Sequence, residues 1–214
     1  MDLDALRQEY ETTPLDVADL APEPITQIER WLSRWLDVSP NEPTAVVLST
    51  VDPSGCPSAR NVLLRGLDER GLTFFTGYES AKGRDLLANP HAAILFSWVP
   101  LLRQIHVNGT VARVDAAESD AYFATRPRGS QLAAWASEQS SVLPDRATLE
   151  ARFEEAAARF EGIEVPRPPD WGGFRLVPDT VELWQGRPNR MHDRLRYQHP
   201  PGRPDLWEIV RLSP

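Results

Sequence analysis

Cysteine is almost absent from this 214-residue sequence, and Cys56, the single residue of that type, has no second cysteine with which to form an internal disulfide. One thiol also excludes a zinc site built from several cysteines. Histidine is nearly as scarce, and His91, His106, His192 and His199 show no metal-ligand spacing with one another or with Cys56. We therefore expect no metal site.

Long apolar runs are missing as well. No stretch reaches the roughly 18 apolar residues that a membrane span needs. The acidic sequence MDLDALRQEY at the start lacks the basic and then apolar order of a secretory signal. We therefore expect a cytoplasmic protein without a membrane partner.

Positive charge is in deficit, because 23 Lys and Arg stand against 31 Asp and Glu and give a net charge of -8. A nonspecific nucleic-acid binder needs a basic field, so nucleic acid is not expected as a partner. The sequence also lacks the G-x-S-x-G, P-loop and G-x-G-x-x-G motifs. Their absence removes the common hydrolase, nucleotide-hydrolysing and Rossmann classes.

Proline, in contrast, is abundant, and 20 prolines favour many short elements over a helical bundle. Apolar residues from Ile25 to Leu36 recur at three- and four-residue spacing and predict an amphipathic helix. Further helices are predicted after Ser80 and over residues 115–126 and 145–161, with strands in most of the segments between them. This order predicts a closed or nearly closed antiparallel barrel with inserted helices, an α+β fold that is mainly β.

Two regions differ in composition. Residues 1–22 mix charge with proline and are expected to form a mobile arm or lid. Residues 23–214 carry the predicted strands and helices and are expected to form a single domain, for which their length is ample.

The segment WQGRPNRMHDRLRY, residues 184–197, concentrates four arginines and a histidine in an acidic protein. In an extended chain alternate side chains share a face, so Arg190, His192, Arg194 and Arg196 are expected on one face. Like charges in a row are unfavourable unless water or an anion compensates them. Two interpretations stay open: a solvated edge strand, or a site for a phosphate-bearing ligand with His192 available for chemistry.

Cationic groups recur in two further segments. Lys82 and Arg84 follow Ser80 at a predicted helix start, where free backbone N–H groups also favour anions. Arg60 and Arg65 stand at the two ends of the apolar strand ARNVLLR. Each cluster, taken alone, also fits a plain solvated surface.

Tyr122, Arg126 and Ser130 recur at four-residue spacing in YFATRPRGS. If the helix runs to Arg126, Tyr122 and Arg126 share a face and Ser130 follows in the loop. Phenol, guanidinium and hydroxyl together suit a phosphate. Several such clusters in a chain of net negative charge favour the binding of two phosphate groups, one on a cofactor and one on a substrate.

Longer stretches that contain these motifs span nearly the whole chain in order: LRQEY, ARNVLLRG, FFTGYESAKG, NPHAAILFSW, RQIHVNG, YFATRPRGSQLAAWASEQS, VPRPPDWGGFRL, VELWQGRPNRMHDRLRY and the terminal RLSP. On these stretches the sequence resembles the pyridoxine/pyridoxamine 5′-phosphate oxidase family, FMN enzymes that make pyridoxal 5′-phosphate. The resemblance implies an FMN-binding split β-barrel of the antiparallel Greek-key type. It also implies a homodimer in which each FMN is held by both subunits at the interface.

The resemblance implies site residues as well. FMN would lie against the ARNVLLR strand, and the cofactor-binding residues would be Arg60, Asn61, Val62, Leu63, Leu64, Arg65, Phe75, Thr76, Lys82, Gln104, Gln139, Ser140, Trp184 and Arg194. The substrate-binding residues would be Arg7, Tyr10, Arg65, Tyr122, Arg126, Ser130, Arg190, Met191 and His192. Arg190 and His192 would form the catalytic pair that faces the substrate ring. Arg7 and Tyr10 would belong to an N-terminal segment that closes over the pocket.

The implied reaction is a two-electron oxidation of pyridoxine 5′-phosphate or pyridoxamine 5′-phosphate at the exocyclic carbon, with hydride transfer to FMN. Molecular oxygen would reoxidise the flavin and give hydrogen peroxide, and the amine substrate would release ammonia. Two positions depart from the family pattern: Arg65 stands where Lys is common, and Ala81 stands where many members have Arg. On this resemblance, Ala81 would remove one contact to the FMN phosphate.

Two alternatives remain. One is a flavin oxidase of the same fold that acts on another metabolite, such as a phenazine precursor; an unphosphorylated substrate would make Tyr122, Arg126 and Ser130 unnecessary. The other is a non-catalytic flavin- or pyridoxal-phosphate-binding protein, which would not need His192 beside Arg190.

Overall fold

The computed structural model describes residues 10–38 and 41–214, which contain eight strands and five α-helices. The strands are β1 (Ala45–Val51), β2 (Pro57–Asp68), β3 (Gly71–Gly77), β4 (His91–Trp98), β5 (Arg103–Arg113), β6 (Trp171–Gln185), β7 (Asp193–Gln198) and β8 (Glu208–Arg211). The helices are α1 (Pro24–Leu36), α2 (Ala81–Ala88), α3 (Ala116–Thr125), α4 (Arg128–Ala136) and α5 (Arg146–Arg159).

Six strands close into an antiparallel barrel in the order β3-β2-β1-β4-β5-β6, because β6 pairs with β3 as well as with β5. The first part of β6, from Trp171 to Leu176, pairs with β3. Its second part, from Thr180 to Gln185, pairs with β7, and β8 extends the sheet beyond β7. The expected antiparallel barrel with inserted helices is confirmed.

The barrel interior is filled by one side of each strand, as the two-residue period requires. In β1, Val46, Leu48 and Thr50 are buried and alternate with half-buried neighbours. Phe74 of β3 lies opposite Phe174 of β6, and their rings stack with centroids 5.9 Å apart. The apolar face predicted for α1 packs on this core through Ile28 and Trp31, which are buried.

A second, smaller core joins α3, α4 and α5 through Phe123, Leu132, Ala156 and Phe160. The sequence analysis predicted α3 and α5 but not α4. The segment RGSQLAAWA is only 9 residues long and begins with a glycine in its first turn, so it carries a weak helical pattern. Ser130, expected in a loop, therefore lies in the first turn of α4.

Residues 10–22 lie against β7. Leu15 and Ala21 are buried, and the Leu15 N–H donates to the Asp193 carboxylate at 3.0 Å. The Tyr197 hydroxyl donates to the Ala21 carbonyl at 2.7 Å. Residues 1–9 lie outside the described part of the chain, and the mobility expected for residues 1–22 stays a prediction.

The Tyr197 hydrogen bond is a measurable anchor for this segment. Tyr197→Phe leaves the buried Ala21 carbonyl without its donor, so the free energy of unfolding is expected to fall by about 1 kcal/mol. Urea denaturation of the variant and the wild type measures this difference. Tyr10→Phe is the control, because it removes a phenol hydroxyl from a half-buried ring of the same segment. An equal loss in both variants would contradict the anchoring role.

Candidate active site

A cavity of about 1000 Å³ lies between β2, β3 and the helices α2, α3 and α4. Its size is at the upper end of the range usual for cofactor and ligand sites, about 300–1,000 Å³. We call it the main cavity. The structure brings 12 of the predicted site residues to its wall: Asn61, Val62, Leu63, Arg65, Phe75, Thr76, Lys82, Tyr122, Arg126, Ser130, Gln139 and Ser140.

The strand β2 presents alternate side chains to the main cavity. Asn61, Leu63 and Arg65 line the wall, as expected for residues of one parity. Val62 and Leu64 have the other parity: Val62, partly buried against the core, also reaches the wall, whereas the Leu64 side chain is buried in the barrel core. Arg60 turns its guanidinium towards β1, where it approaches the Leu48 carbonyl at 3.4 Å. Of the β2 residues predicted to bind the cofactor, Arg60 and Leu64 therefore do not line the main cavity.

The N-terminus of α2 meets the cavity next to β3. Ser80 caps the helix, and its Oγ accepts from the Gly83 N–H at 3.2 Å. Gly83 is required by close packing, because a Cβ at this position would lie 2.2 Å from the Tyr78 carbonyl oxygen. The cap and the glycine together hold Lys82 at the cavity wall.

Lys82 is the most buried cation of that wall, with 8% of its surface exposed. Its Nζ donates to Thr76 Oγ1 at 3.3 Å, and Thr76 in turn donates to Gln139 Oε1 at 2.8 Å. Burial lowers the pKa of Lys82, and the nearby Arg60 charge lowers it further, against the opposite effect of Asp85. The protonated form is therefore held at a cost that a bound anion would relieve.

Arg126 provides a second cation at the cavity wall, and this residue is half-buried. Its guanidinium lies over the Trp171 ring, with Cζ 4.6 Å from the ring centroid. Its Nη1 is buried and has no hydrogen-bond partner among the described residues. Burial lowers the pKa of Arg126. A buried donor without an acceptor is costly, so the geometry favours an anionic ligand here.

An aromatic stack supports this part of the wall. The Phe75 and Tyr122 rings are parallel with centroids 3.9 Å apart, and Trp171 stacks on Phe75 at 5.7 Å. Gly173 faces Phe75 across the β3–β6 pair, and a Cβ at Gly173 would lie 2.8 Å from the Phe75 ring. The glycine thus gives Phe75 the room to stack on Tyr122.

Acidic residues also line the main cavity. Glu79, Glu138 and Asp170 are part of its wall, but all three are exposed to solvent. Water screens exposed charges far more than buried ones. The buried Lys82 and the buried Nη1 of Arg126 are screened less, so the cavity prefers an anion.

A second cavity of about 420 Å³ lies over β5, β6 and β7. Three of the residues predicted to bind the cofactor line this cavity: Gln104, Trp184 and Arg194. Strand register brings them together, because Gln104 lies opposite Trp184 and Trp184 lies opposite Arg194. Arg194 is paired with Glu182 at 2.8 Å and donates to the Ser213 carbonyl at 3.0 Å. The hydrogen bond that Arg194 Nε donates to the Glu182 carboxylate raises the pKa of Arg194.

The expected strand face of Arg190 and His192 is wrong. Residues Pro188–Arg190 form a 3-10 turn, and Asn189 and Arg190 have positive φ angles of 56° and 61°. The strand β7 begins at Asp193, so strand parity does not bring Arg190 and His192 together. Parity holds within β7, where Leu195 and Tyr197 are buried while Arg194 and Arg196 remain half-buried on the other face.

His192 has a defined environment next to this turn. Its Nδ1 accepts from the Arg187 N–H at 3.1 Å, so the neutral ring carries its proton on Nε2. The Trp184 and Tyr10 rings lie 4.8 Å and 5.9 Å from its centroid. Arg190 and Met191, the neighbouring residues of the prediction, are exposed. Arg7, predicted with Tyr10, lies outside the described residues.

Within one chain the predicted residues thus fall into two groups. The first lines the main cavity. The second comprises Gln104, Trp184 and Arg194 at the second cavity and the nearby turn with Arg190 and His192, and none of these residues lines the main cavity. The sequence analysis did not predict Trp171, whose ring lies under the Arg126 guanidinium. A single tryptophan at the start of a strand belongs to no periodic pattern.

Two further findings bear on the kind of site. Among residues 10–38 and 41–214, no three His, Cys, Asp or Glu side chains are placed to hold a metal ion. None of the helices in the same part of the chain combines the length and apolarity of a membrane span.

Comparison with known proteins identifies the family. Residues 36–160 match the family model described as pyridoxamine 5′-phosphate oxidase. The chain belongs to the pyridoxamine 5′-phosphate oxidase family. Residues 171–214 match the model of the pyridoxine 5′-phosphate oxidase C-terminal dimerisation region. The family resemblance inferred from the sequence motifs is therefore confirmed.

Relatives within this family cover nearly the whole chain. Pyridoxine/pyridoxamine 5′-phosphate oxidase 1 of Ralstonia nicotianae is 56% identical over 98% of this chain and 97% of its own. The pyridoxine/pyridoxamine 5′-phosphate oxidase of Paraburkholderia phymatum is 53% identical over the same shares. Among solved structures, PhzG from Burkholderia lata, in complex with tetrahydrophenazine-1-carboxylic acid, is 32% identical with a TM-score of 0.87 and covers 97% of this chain and 100% of that one.

The fold has a more distant neighbour as well. A pyridoxamine 5′-phosphate oxidase-related, FMN-binding protein from Nostoc punctiforme has a TM-score of 0.69 at 17% identity, and the match covers 91% of this chain and 100% of that one. At this identity the likeness supports the barrel fold alone.

FMN is the cofactor of this family, and the residues of the main cavity fit it. A phosphate needs cationic or N–H donors, and the buried Lys82 and the unpaired Arg126 Nη1 supply them in a wall that also offers apolar and aromatic surface. The volume of about 1000 Å³ accommodates a flavin together with a second ring.

Burial of the Lys82 charge predicts a stability effect. Lys82→Met removes the charge and keeps the bulk, so the flavin-free variant is expected to be more stable than the flavin-free wild type at pH 7, by about 1 kcal/mol. Because the folded state lowers the pKa of Lys82, the unfolded state binds more protons in the alkaline range below pH 10.5. The free energy of unfolding of the wild type is therefore expected to increase relative to that of the variant as the pH rises through that range.

Urea unfolding of both flavin-free proteins between pH 7 and pH 10 measures the difference. A variant less stable than the wild type at pH 7 would contradict the assignment of a buried charge that opposes folding.

Proposed function

We propose that this protein is an FMN-dependent oxidase that converts pyridoxine 5′-phosphate and pyridoxamine 5′-phosphate to pyridoxal 5′-phosphate. Relatives at 53–56% identity that cover 97% of their own length carry the name of this activity. The observation of the structure that best supports the proposal is a pair of cations at two places in one cavity wall: Lys82, which is buried, and Arg126, whose Nη1 is buried without a hydrogen-bond partner among the described residues.

The two cations have different surroundings and therefore different roles. Lys82, at the start of α2 and beside Arg60, is placed to hold the phosphate of FMN. Arg126 lies between α3 and α4 with Tyr122 and Ser130 on the same wall, and this trio holds the phosphate of the substrate. Arg65, at the far end of the β2 stretch, adds positive charge to the wall.

FMN, when bound, supplies a two-electron acceptor for the hydride from the exocyclic carbon, and molecular oxygen is the final acceptor that yields hydrogen peroxide. The protein contributes orientation and electrostatics. His192 offers its Nε2–H as a donor to the substrate ring, since its Nδ1 is occupied by the Arg187 N–H. Arg190, exposed at the turn before His192, adds a positive charge that polarises the bound ring.

The two groups of site residues are joined by dimer formation. The matched dimerisation region covers residues 171–214, which include Trp184, Arg190, His192 and Arg194. We infer that the main cavity of one protomer faces the Trp184 and Arg194 surface of its partner, so that each FMN is held by both subunits. This arrangement explains why residues of one predicted site fall into separate places within one chain.

A second candidate function has one observation in its favour, the similarity to PhzG in complex with tetrahydrophenazine-1-carboxylic acid. The identity of 32% is well below that of the named oxidases. The buried, unpaired Arg126 Nη1 beside Tyr122 and Ser130 favours the phosphorylated substrate.

Hydrogen peroxide release tests the function directly. The FMN-loaded protein is expected to release peroxide with pyridoxamine 5′-phosphate and, far more weakly, with unphosphorylated pyridoxamine. Arg126→Ala is expected to raise the Michaelis constant for the phosphorylated substrate by about tenfold or more, because it removes a charge-assisted hydrogen bond worth about 1.5–3 kcal/mol. Peroxide release with tetrahydrophenazine-1-carboxylic acid alone would instead support the second candidate, and absence of turnover with either would leave a binding protein.

Mixed dimers test the shared site. Lys82→Met and Arg194→Ala proteins, each impaired alone, are unfolded together and refolded as a mixture. If each site takes Lys82 from one subunit and Arg194 from the other, half of the dimers regain one intact site, and activity recovers to about a quarter of the wild-type value. Sites contained within single chains would show no recovery. Wild-type protein carried through the same refolding is the control for yield.

A further inference from the structure

A hydroxyl–carboxylate pair lies behind the cationic end of the main cavity. Thr50 of β1 is 1% exposed, and its Oγ1 accepts from Arg60 Nη1 at 2.6 Å and donates to Asp85 Oδ2 at 2.6 Å. A threonine hydroxyl has one proton to donate and lone pairs to accept with, so it satisfies both partners at once. Nothing in the proposed reaction uses Thr50 or Asp85.

Strand register and helix period bring the members of this cluster together. Arg60 of β2 lies opposite Leu48 of β1. Thr50 follows Leu48 by two residues, so the two side chains share one face of β1. Asp85 follows Lys82 by three residues on α2, so both side chains share one helix face. The Asp85 carboxylate therefore lies between the strand that carries Arg60 and the helix turn that carries Lys82.

The charges of the cluster do not balance. Arg60 and Lys82 are two cations, and Asp85 is the carboxylate beside them, 3.8 Å from Arg60 Nη2. Burial lowers the pKa of both cations, the Arg60 charge lowers the pKa of Lys82 further, and Asp85 opposes these effects on both. One positive charge remains in excess at a buried position, which a phosphate dianion compensates.

The orientation of Arg60 depends on the same groups. Besides Thr50, its guanidinium donates to Ser58 Oγ at 2.8 Å and approaches the Leu48 carbonyl at 3.4 Å. Thr50 is the buried member of this set and the link to Asp85. Without it, the long Arg60 side chain has further rotamers open to it, and ordering them on binding costs free energy.

We propose that Thr50 and Asp85 are positioning residues that hold Arg60 next to Lys82 and thereby set the preference for FMN over riboflavin, the same flavin without its phosphate. The inference rests on the proposed function in one respect, namely that the flavin phosphate binds at Lys82. Thr50 acts through Arg60 and does not itself touch the ligand.

Flavin binding to the flavin-free protein tests the proposal without reference to turnover. The affinities for FMN and for riboflavin are measured by quenching of flavin fluorescence. Thr50→Val keeps the shape and β-branching of the side chain and removes the hydroxyl. We expect it to weaken FMN binding about tenfold and to leave riboflavin binding unchanged. Thr50→Ser, the matched control, keeps the hydroxyl and is expected to retain the FMN preference.

A double-mutant cycle separates positioning from packing. In an Arg60→Gln background, Thr50→Val is expected to cause no further loss of FMN affinity, because Thr50 acts through Arg60. Additive losses, or an equal loss of FMN and riboflavin affinity, would overturn the proposal and leave a structural role for Thr50. If Thr50→Val does not fold, Thr50→Ala is taken through the same measurements.

The failure of the proposed function has a different signature. A wild-type protein that binds riboflavin as tightly as FMN would show that the phosphate has no site at Lys82. A wild type that prefers FMN, with a Thr50→Val variant of equal preference, would overturn the positioning role alone.

Discussion

The double pairing of β6 is the constraint on which the site depends. One edge of this strand pairs with β5 along nearly its whole length, while the other edge pairs first with β3 and then with β7. The register shifts opposite Asn108 and Gly109, and a Cβ at Gly109 would lie 2.0 Å from the Val177 carbonyl oxygen. A single strand therefore closes the barrel beside the main cavity and also carries the sheet on to β7, where Arg194 lies.

Burial separates functional from structural charges in this protein. Arg167 is paired with Asp120, and Arg175 with Glu118, so neither needs a ligand to be satisfied. Lys82 donates to a threonine hydroxyl and Arg126 lies on an indole ring, and neither contact supplies a full negative charge. Arg167 and Arg175 therefore stabilise the fold, while Lys82 and Arg126, which lie against neutral groups, favour a bound anion.

Periodic patterns predicted most of the fold. The apolar spacing of α1 and the alternation in the strands are local signals, and the helix caps at Ser80, Asp115 and Asp145 are found where the sequence placed the helix starts. The helix α4 escaped prediction because its stability comes from tertiary packing of Leu132 on Phe123 and Phe160 rather than from its own nine residues.

The candidate site was predictable in composition but not in arrangement. The sequence motifs identified site residues correctly in part, since 12 of the predicted residues line one cavity. Strand parity failed for Arg190 and His192, because a proline turn with two positive φ angles interrupts the extended chain before β7. Trp171 and Thr50 left no sequence signal, since only the folded chain shows their contacts with Arg126 and Arg60.

Lys82 and Arg126 lie against neutral groups, so a bound anion at either would stabilise the folded protein. A ligand that binds only the folded state stabilises it by RT ln(1 + [L]/Kd). A phosphate bound at either cation would therefore increase the free energy of unfolding. Cells short of riboflavin would then hold more of this chain in an unfolded, protease-sensitive form.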